Sequence, residues 1–127
     1  MKALLLVAHG SRRAASNEEV QRLATAVEQQ LDGACPIVTT AFLELADPLI
    51  PEAIDRCVAR GASEIIVLPY FLAAGRHVAE DIPRIAEQAV AAHPGVRLTL
   101  APHLGASVLM SGFLAASAQA AINGDSR

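Results

Sequence analysis

Tryptophan is absent from this 127-residue chain, and aromatic residues of any kind make up only 3% of it. At 53% hydrophobic, its core has to be packed from Ala, Leu, Val and Ile, which suits helices lying close on a buried sheet. Lysine is scarce too: Lys2 is the only one among ten basic residues, and the rest are arginine. The planar fork of arginine is the better partner for a carboxylate or phosphate. No excess of positive charge exists, the formal net charge being −3, so a nucleic-acid role has no support. Cys35 and Cys57 are the only cysteines, too few and too isolated for a zinc knuckle or a disulfide framework. Both lie in apolar stretches and are expected to be buried thiols. No apolar run reaches the ~18 residues of a membrane span. The short run after Lys2 lacks the length and cleavage site of a signal peptide. The expectation is one cytoplasmic domain over residues 1–122 with a short tail at 123–127, and neither nucleic acid nor membrane as partner.

What the chain does have is a regular alternation. Four short apolar runs read as strands: Ala3 to Ala8, Ile37 to Phe42, Glu64 to Tyr70 and Val96 to Ala101. Runs this short and nearly continuous suit parallel strands buried on both faces. Helical patterns lie between them. Val20, Leu23, Ala24, Val27 and Leu31 recur at helical spacing, with Ser16-Asn17-Glu18-Glu19 as a capping box and Asp32-Gly33 as a stop. Asp47-Pro48 reads as the N-cap and first position of a second helix, running through Ile50, Ile54 and Val58 to Gly61. A third starts at about Asp81, because Pro83 suits a first turn, and Gly75 to Glu80 is then loop. A fourth carries Leu109, Phe113, Ala116 and Ala120. The order β-α-β-α-β-α-β-α predicts an α/β domain: a four-stranded parallel sheet, right-handed crossovers and helices on both faces.

In such a sheet, ligands bind beyond the carboxyl ends of the strands. The first strand runs into His9, Gly10, Ser11, Arg12 and Arg13, the second into Leu43 and Glu44. The third leads to Leu72, Gly75, Arg76 and His77, and the fourth to His103, Leu104 and Gly105. Three of the four histidines and a lone glutamate therefore gather at one edge. His93 closes a helix at the other edge and is read as a helix terminator. Taken singly, each of these is compatible with a loop role; Ser11 suits a cap and Arg13 a surface charge. Taken together, imidazoles and one carboxylate suit a borderline divalent metal such as Co²⁺, Fe²⁺, Ni²⁺ or Zn²⁺ better than Mg²⁺. Neutral imidazole also accepts protons near neutral pH. The residues predict an open metal site with a base beside it and arginines for an anionic ligand.

At this point the motifs match a known family. His9-Gly10-Ser11-Arg12, Ala41-Phe42-Leu43-Glu44, Gly75-Arg76-His77-Val78 with Asp81-Ile82-Pro83, and Leu104-Gly105 resemble the small, single-domain sirohydrochlorin chelatases. These are class II metal chelatases of cobalamin and sirohaem synthesis, and the resemblance covers almost the whole chain. It implies a lyase that inserts Co²⁺ or Fe²⁺, or Ni²⁺ in one branch, into sirohydrochlorin, a tetrapyrrole with eight carboxylates. It implies His9 and His77 as the metal-binding and catalytic pair with Glu44 as their acidic partner. The divalent metal is then a substrate, and no cofactor is permanently bound. Gly10, Ser11, Arg12 and Arg76 are expected around the peripheral carboxylates, with Tyr70 and Phe71 as an apolar wall. Many relatives carry His-Pro after the Leu-Gly, where this chain has Ser107-Val108.

Other readings are weaker. Histidine phosphatases place Arg directly before His-Gly, where Ala8 stands, and no phosphate-binding Gly-x-x-x-x-Gly-Lys loop occurs. A non-catalytic metal or tetrapyrrole carrier would use the same residues. A single small domain offers only one wall to a flat macrocycle, so a homodimer is expected, with the stretches Ala115 to Ile122 and Leu43 to Pro51 as candidate surfaces.

Overall fold

The computed structural model describes residues 1–124. Its elements follow the predicted alternation: β1 (Lys2–Ala8), α1 (Ala14–Leu31), β2 (Ile37–Phe42), α2 (Ile50–Ala59), β3 (Glu64–Pro69), α3 (Arg76–Ala91), β4 (Arg97–Leu100), a short 3-10 turn (Leu104–Ala106) and α4 (Met110–Ile122). All four strands are parallel, in the order β2-β1-β3-β4. The chain thus moves outward from β1 to β2, then crosses back over β1 to β3. The point where the direction reverses lies between β1 and β3, the crevice where ligands of open α/β sheets bind.

The alternation of side chains along each strand divides the apolar residues between two faces. Ala3, Leu5 and Val7 of β1, with Ile65 and Val67 of β3, meet Ile50, Ile54 and Cys57 of α2 and Ile82 and Ala86 of α3 in one buried cluster. Full burial of a side chain such as Leu5 or Ile54 is worth about 1.5–3 kcal/mol, and this cluster holds the sheet to α2 and α3. Leu6 and Leu68 point to the other face, toward Leu23 and Val27 of α1.

Three local expectations are corrected. α1 starts at Ala14, so Ser16 and Glu19 already lie inside the helix and no capping box forms; the Asn17 side chain turns back to the preceding loop. Its Oδ1 accepts from the Ser11 N–H (3.0 Å) and its Nδ2 donates to the Ser11 carbonyl (2.8 Å). α2 starts at Ile50, with Pro51 in its first turn, and not at Asp47-Pro48. That segment is held at the sheet edge instead: the Phe42 N–H donates to the Pro48 carbonyl, and Phe42 bridges to Leu49. α3 starts at Arg76, and Pro83 lies inside it. An interior proline removes a helical hydrogen bond at a cost of about 3 kcal/mol. Packing of Ile82 and Ala86 in the core, with Val78, Ile85, Ala89 and Val90 against it, offsets that cost. Smaller differences trim the ends of β3 and β4 by one residue or two. Of the expected tail, Asn123 and Gly124 form a turn after α4, while 125–127 lie outside the described residues.

His93 does more than end a helix. Its Nε2 lies 2.7 Å from Asp55 Oδ1 and ties the end of α3 to α2. The two cysteines are free and buried, as expected. Burial pushes both thiols up from their ordinary value. Native protein at pH 8 is therefore expected to resist alkylation at both, and denaturation to release two reactive thiols; labelling followed by intact-mass measurement checks this. A raised thiol value means that the folded state holds those protons more tightly. Its stabilising effect is complete below the ordinary thiol range and erodes as pH rises through it.

Candidate functional site

The β1–β2 ladder continues past both strands. The Leu43 N–H donates to the Ala8 carbonyl and the Glu44 N–H to the His9 carbonyl, each at 3.0 Å. This extension lays Glu44 alongside His9, and their side chains meet, Nε2 to Oε1, at 2.9 Å. Both side chains are about half-exposed. A pair so exposed contributes about 1 kcal/mol or less to stability, so the fold does not depend on it. Gly10 makes the approach possible. It sits at φ +97°, and a Cβ built there would overlap the Glu44 carbonyl oxygen. The next residue, Leu45, is itself left-handed at φ 66°, a conformation that costs a non-glycine residue about 1–2 kcal/mol. The chain accepts that strain where Glu44 is turned toward His9.

Phe71 closes the other side of His9. Its ring stands edge-on to the imidazole with centroids 6.5 Å apart. The loop after β3 is set by a second close approach, between Gly105 and the Leu72 carbonyl, with the Gly105 N–H donating to the Phe71 carbonyl at 3.1 Å. Sequence reasoning missed Asn17 and the bracing role of Gly105. Asn17 was read as part of a helix cap, and nothing in its spacing signals a partner six residues back.

His77 lies at the same carboxyl edge, exposed in the first turn of α3. The structure brings together His9 and Glu44, but the described residues contain no cluster of three potential metal ligands among His, Cys, Asp and Glu. Phe71 is the aromatic ring that stands beside His9. His103 is turned into a separate cavity of about 180 Å³ with Phe71, Ala74, Val78 and Pro102. The Ser11 hydroxyl accepts from the Arg13 N–H (3.0 Å), a turn-forming role. Arg12 is exposed and has no side-chain partner among the described residues. Arg76 makes only a loose i, i+4 contact to Glu80 at 3.3 Å. Tyr70 continues the sheet through its N–H to the Val7 carbonyl, and its ring, with Phe71 and Leu72, lines an apolar groove. No helix among the described residues is long and apolar enough to cross a membrane.

Known proteins share this fold. Residues of this chain are 44% identical over 85 positions to the sirohydrochlorin cobaltochelatase of Methanocaldococcus jannaschii, covering 67% of this chain and 58% of that protein. They are 35% identical over 102 positions to the chloroplastic sirohydrochlorin ferrochelatase of Arabidopsis thaliana, covering 80% and 44%. The match spans between 39% and 64% of the length of curated relatives such as these. Among solved structures, a cobalamin (vitamin B12) biosynthesis CbiX protein of Marinobacter aquaeolei superposes with a TM-score of 0.80 at 28% identity, covering 97% of this chain and 98% of that one. The sirohydrochlorin chelatase SirB of Bacillus subtilis in complex with cobalt superposes with a TM-score of 0.75 at 29% identity, over 84% of this chain and 44% of that one. The CbiX family model matches residues 3–121, nearly the full length, and the chain belongs to the CbiX family.

Proposed function

We propose that this chain is a sirohydrochlorin-type metal chelatase, inserting Co²⁺ or Fe²⁺, with Ni²⁺ as a further candidate, into a carboxylate-rich tetrapyrrole in the cytoplasm. The observation that carries the reading is the His9–Glu44 pair at the carboxyl ends of β1 and β2. Metallation removes two pyrrole protons while a divalent ion enters the ring. An ionised carboxylate only accepts hydrogen bonds, so Nε2 of a neutral His9 carries the hydrogen and Nδ1 keeps its lone pair. That nitrogen is left to hold the ion or take a pyrrole proton, and Glu44 orients the ring and stabilises the imidazolium that forms. His77 is the second imidazole at this edge. A site with few protein ligands suits a metal in transit, because the macrocycle supplies four nitrogens of its own. In this reading Arg12 and Arg76 receive peripheral carboxylates in charge-assisted pairs. The Arg76–Glu80 contact, worth about 0.2–0.5 kcal/mol, is readily exchanged for a substrate carboxylate. Because one domain presents one wall to a flat macrocycle, the working unit in this reading is a homodimer.

Anaerobic mixing with sirohydrochlorin and each metal, followed by absorbance, tests the proposal. Many macrocycles metallated per chain are expected. Conversion that stops at one equivalent per site would replace the enzyme with a carrier.

A further inference from the structure

The open edge of the sheet holds a cavity that the chemistry at His9 leaves unused. β2 is the outermost strand on its side, and a space of about 370 Å³ lies along it between α1 and α2. Neither His9, Glu44 nor His77 lines this space, and no carboxylate does. Its charged groups are Arg56 and Arg60 of α2. The two stand one helical turn apart, a spacing at which like charges repel, and neither forms an ion pair among the described residues. Thr40 supplies a second observation. It is the one polar residue buried among the described residues, at 5% exposure. Thr25 and Thr99 use their hydroxyls in hydrogen bonds, but that of Thr40 has no partner among the described residues. Buried polar groups are normally paired. The hydroxyl is not sealed in either, since no enclosed side-chain oxygen or nitrogen among the described residues lacks a partner. It opens onto the cavity that Thr40 lines. The backbone adds donors. The Leu43 N–H points to β1, whereas the Phe42 N–H turns outward to the Pro48 carbonyl. Directions alternate along a strand, so the N–H groups of Thr40 and Val38 also face outward, along the open edge.

We infer that this cavity binds a small phosphate-bearing molecule, its phosphate oxygens taken by Arg56, Arg60 and the Thr40 hydroxyl. Every charge lining the space is positive, and two guanidiniums match the two charges of a phosphate monoester. The arginines reach in from α2, while the hydroxyl and N–H donors come from β2, so the donors approach from different sides. A tetrahedral phosphate presents oxygens in several directions, whereas a planar carboxylate is satisfied by a single guanidinium fork. The volume is at the lower end for small-molecule pockets, and Ala24, Val38 and Ala53 offer the organic part an apolar wall. Binding offsets the repulsion between Arg56 and Arg60 and pairs the Thr40 hydroxyl. Free inorganic phosphate shares this chemistry, and the choice of probes separates the two sources. The cavity takes nothing from the metal-inserting site, so the inference stands apart from the chelatase reading.

Isothermal titration calorimetry at pH 8 in roughly 0.15 M sodium chloride, where exposed charges are screened, is the test. The probes are inorganic phosphate, glycerol 3-phosphate and citrate. One phosphate-type ligand per chain is expected, with a Kd below about 1 mM and citrate weaker by at least about tenfold. Glycerol 3-phosphate binding more tightly than inorganic phosphate identifies a phosphorylated metabolite as the ligand, and the reverse identifies phosphate itself; both support the site. Arg56→Gln combined with Arg60→Gln should weaken binding by at least about 100-fold. Both arginines are exposed, so this variant should fold, and circular dichroism checks it. Thr40→Val should weaken binding about tenfold yet raise the melting temperature of the unliganded protein, because a buried hydroxyl without a partner is removed. A purely structural Thr40 would leave affinity unmoved. Absence of saturation by either phosphate probe at about 10 mM would overturn the inference. So would phosphate affinity unchanged in the double arginine variant or in Thr40→Val, or citrate binding as tightly as phosphate.

Discussion

His9→Ala and His77→Ala are each expected to slow metallation by about 10²–10⁴-fold, the usual loss when a positioned acid or base is removed. For His9 the expectation comes from the free Nδ1 left by the 2.9 Å contact between Nε2 and Glu44. For His77 it comes from placement in the exposed first turn of α3 at the same edge. Neither residue belongs to the buried cluster, so thermal unfolding should shift little. Glu44→Gln keeps a hydrogen-bond acceptor for His9 but removes the charge that supports an imidazolium. Its turnover should fall less than that of His9→Ala. The measurement is initial rate by absorbance, with stability followed in parallel by circular dichroism. Wild-type rates in both alanine variants would remove the pair from the chemistry.

Gly10→Ala should have the largest effect on the molecule as a whole. A Cβ at this position would overlap the Glu44 carbonyl oxygen, and the backbone sits at φ +97°. Steric overlap and backbone strain therefore act together, and a loss of about 2–4 kcal/mol is expected. Thermal melting should fall by roughly 10 °C. Relief of the clash has to push the Glu44 loop away from β1, so the His9–Glu44 contact should also be lost. Activity should drop even at temperatures where the variant remains folded. Gly105→Ala makes an informative companion. Its Cβ would meet the Leu72 carbonyl and displace the loop that holds Phe71, leaving Glu44 untouched. A variant with wild-type melting and wild-type rate would contradict the close approach on which the geometry of the site depends.

Leu43 and Ile50 show how one short stretch divides between core and surface. In the stretch Leu43 to Pro51, Ile50 is 1% exposed and Leu43 packs against the core, while Glu44, Leu45, Asp47 and Pro51 are exposed. Ala115 to Ile122 has a similar composition, yet no residue of α4 is buried. Composition alone cannot separate these cases, because burial depends on what the rest of the chain brings nearby.

The sequence by itself determined the strands, the parallel sheet and the edge that carries His9, Glu44 and His77. Short apolar runs alternating with helical periodicities leave few topologies, and the crossover rule then places every strand's carboxyl end on one side. Only the tertiary structure decided that His9 bonds Glu44, that Phe71 stands against the imidazole and that Asn17 braces the Ser11 loop. It also decided that α3 runs through Pro83, since buried Ile82 and Ala86 outweigh a lost hydrogen bond. Periodicity reports which face a residue turns toward the core. Contacts between residues 35 or more positions apart depend on backbone approach and ring orientation, which no local pattern encodes.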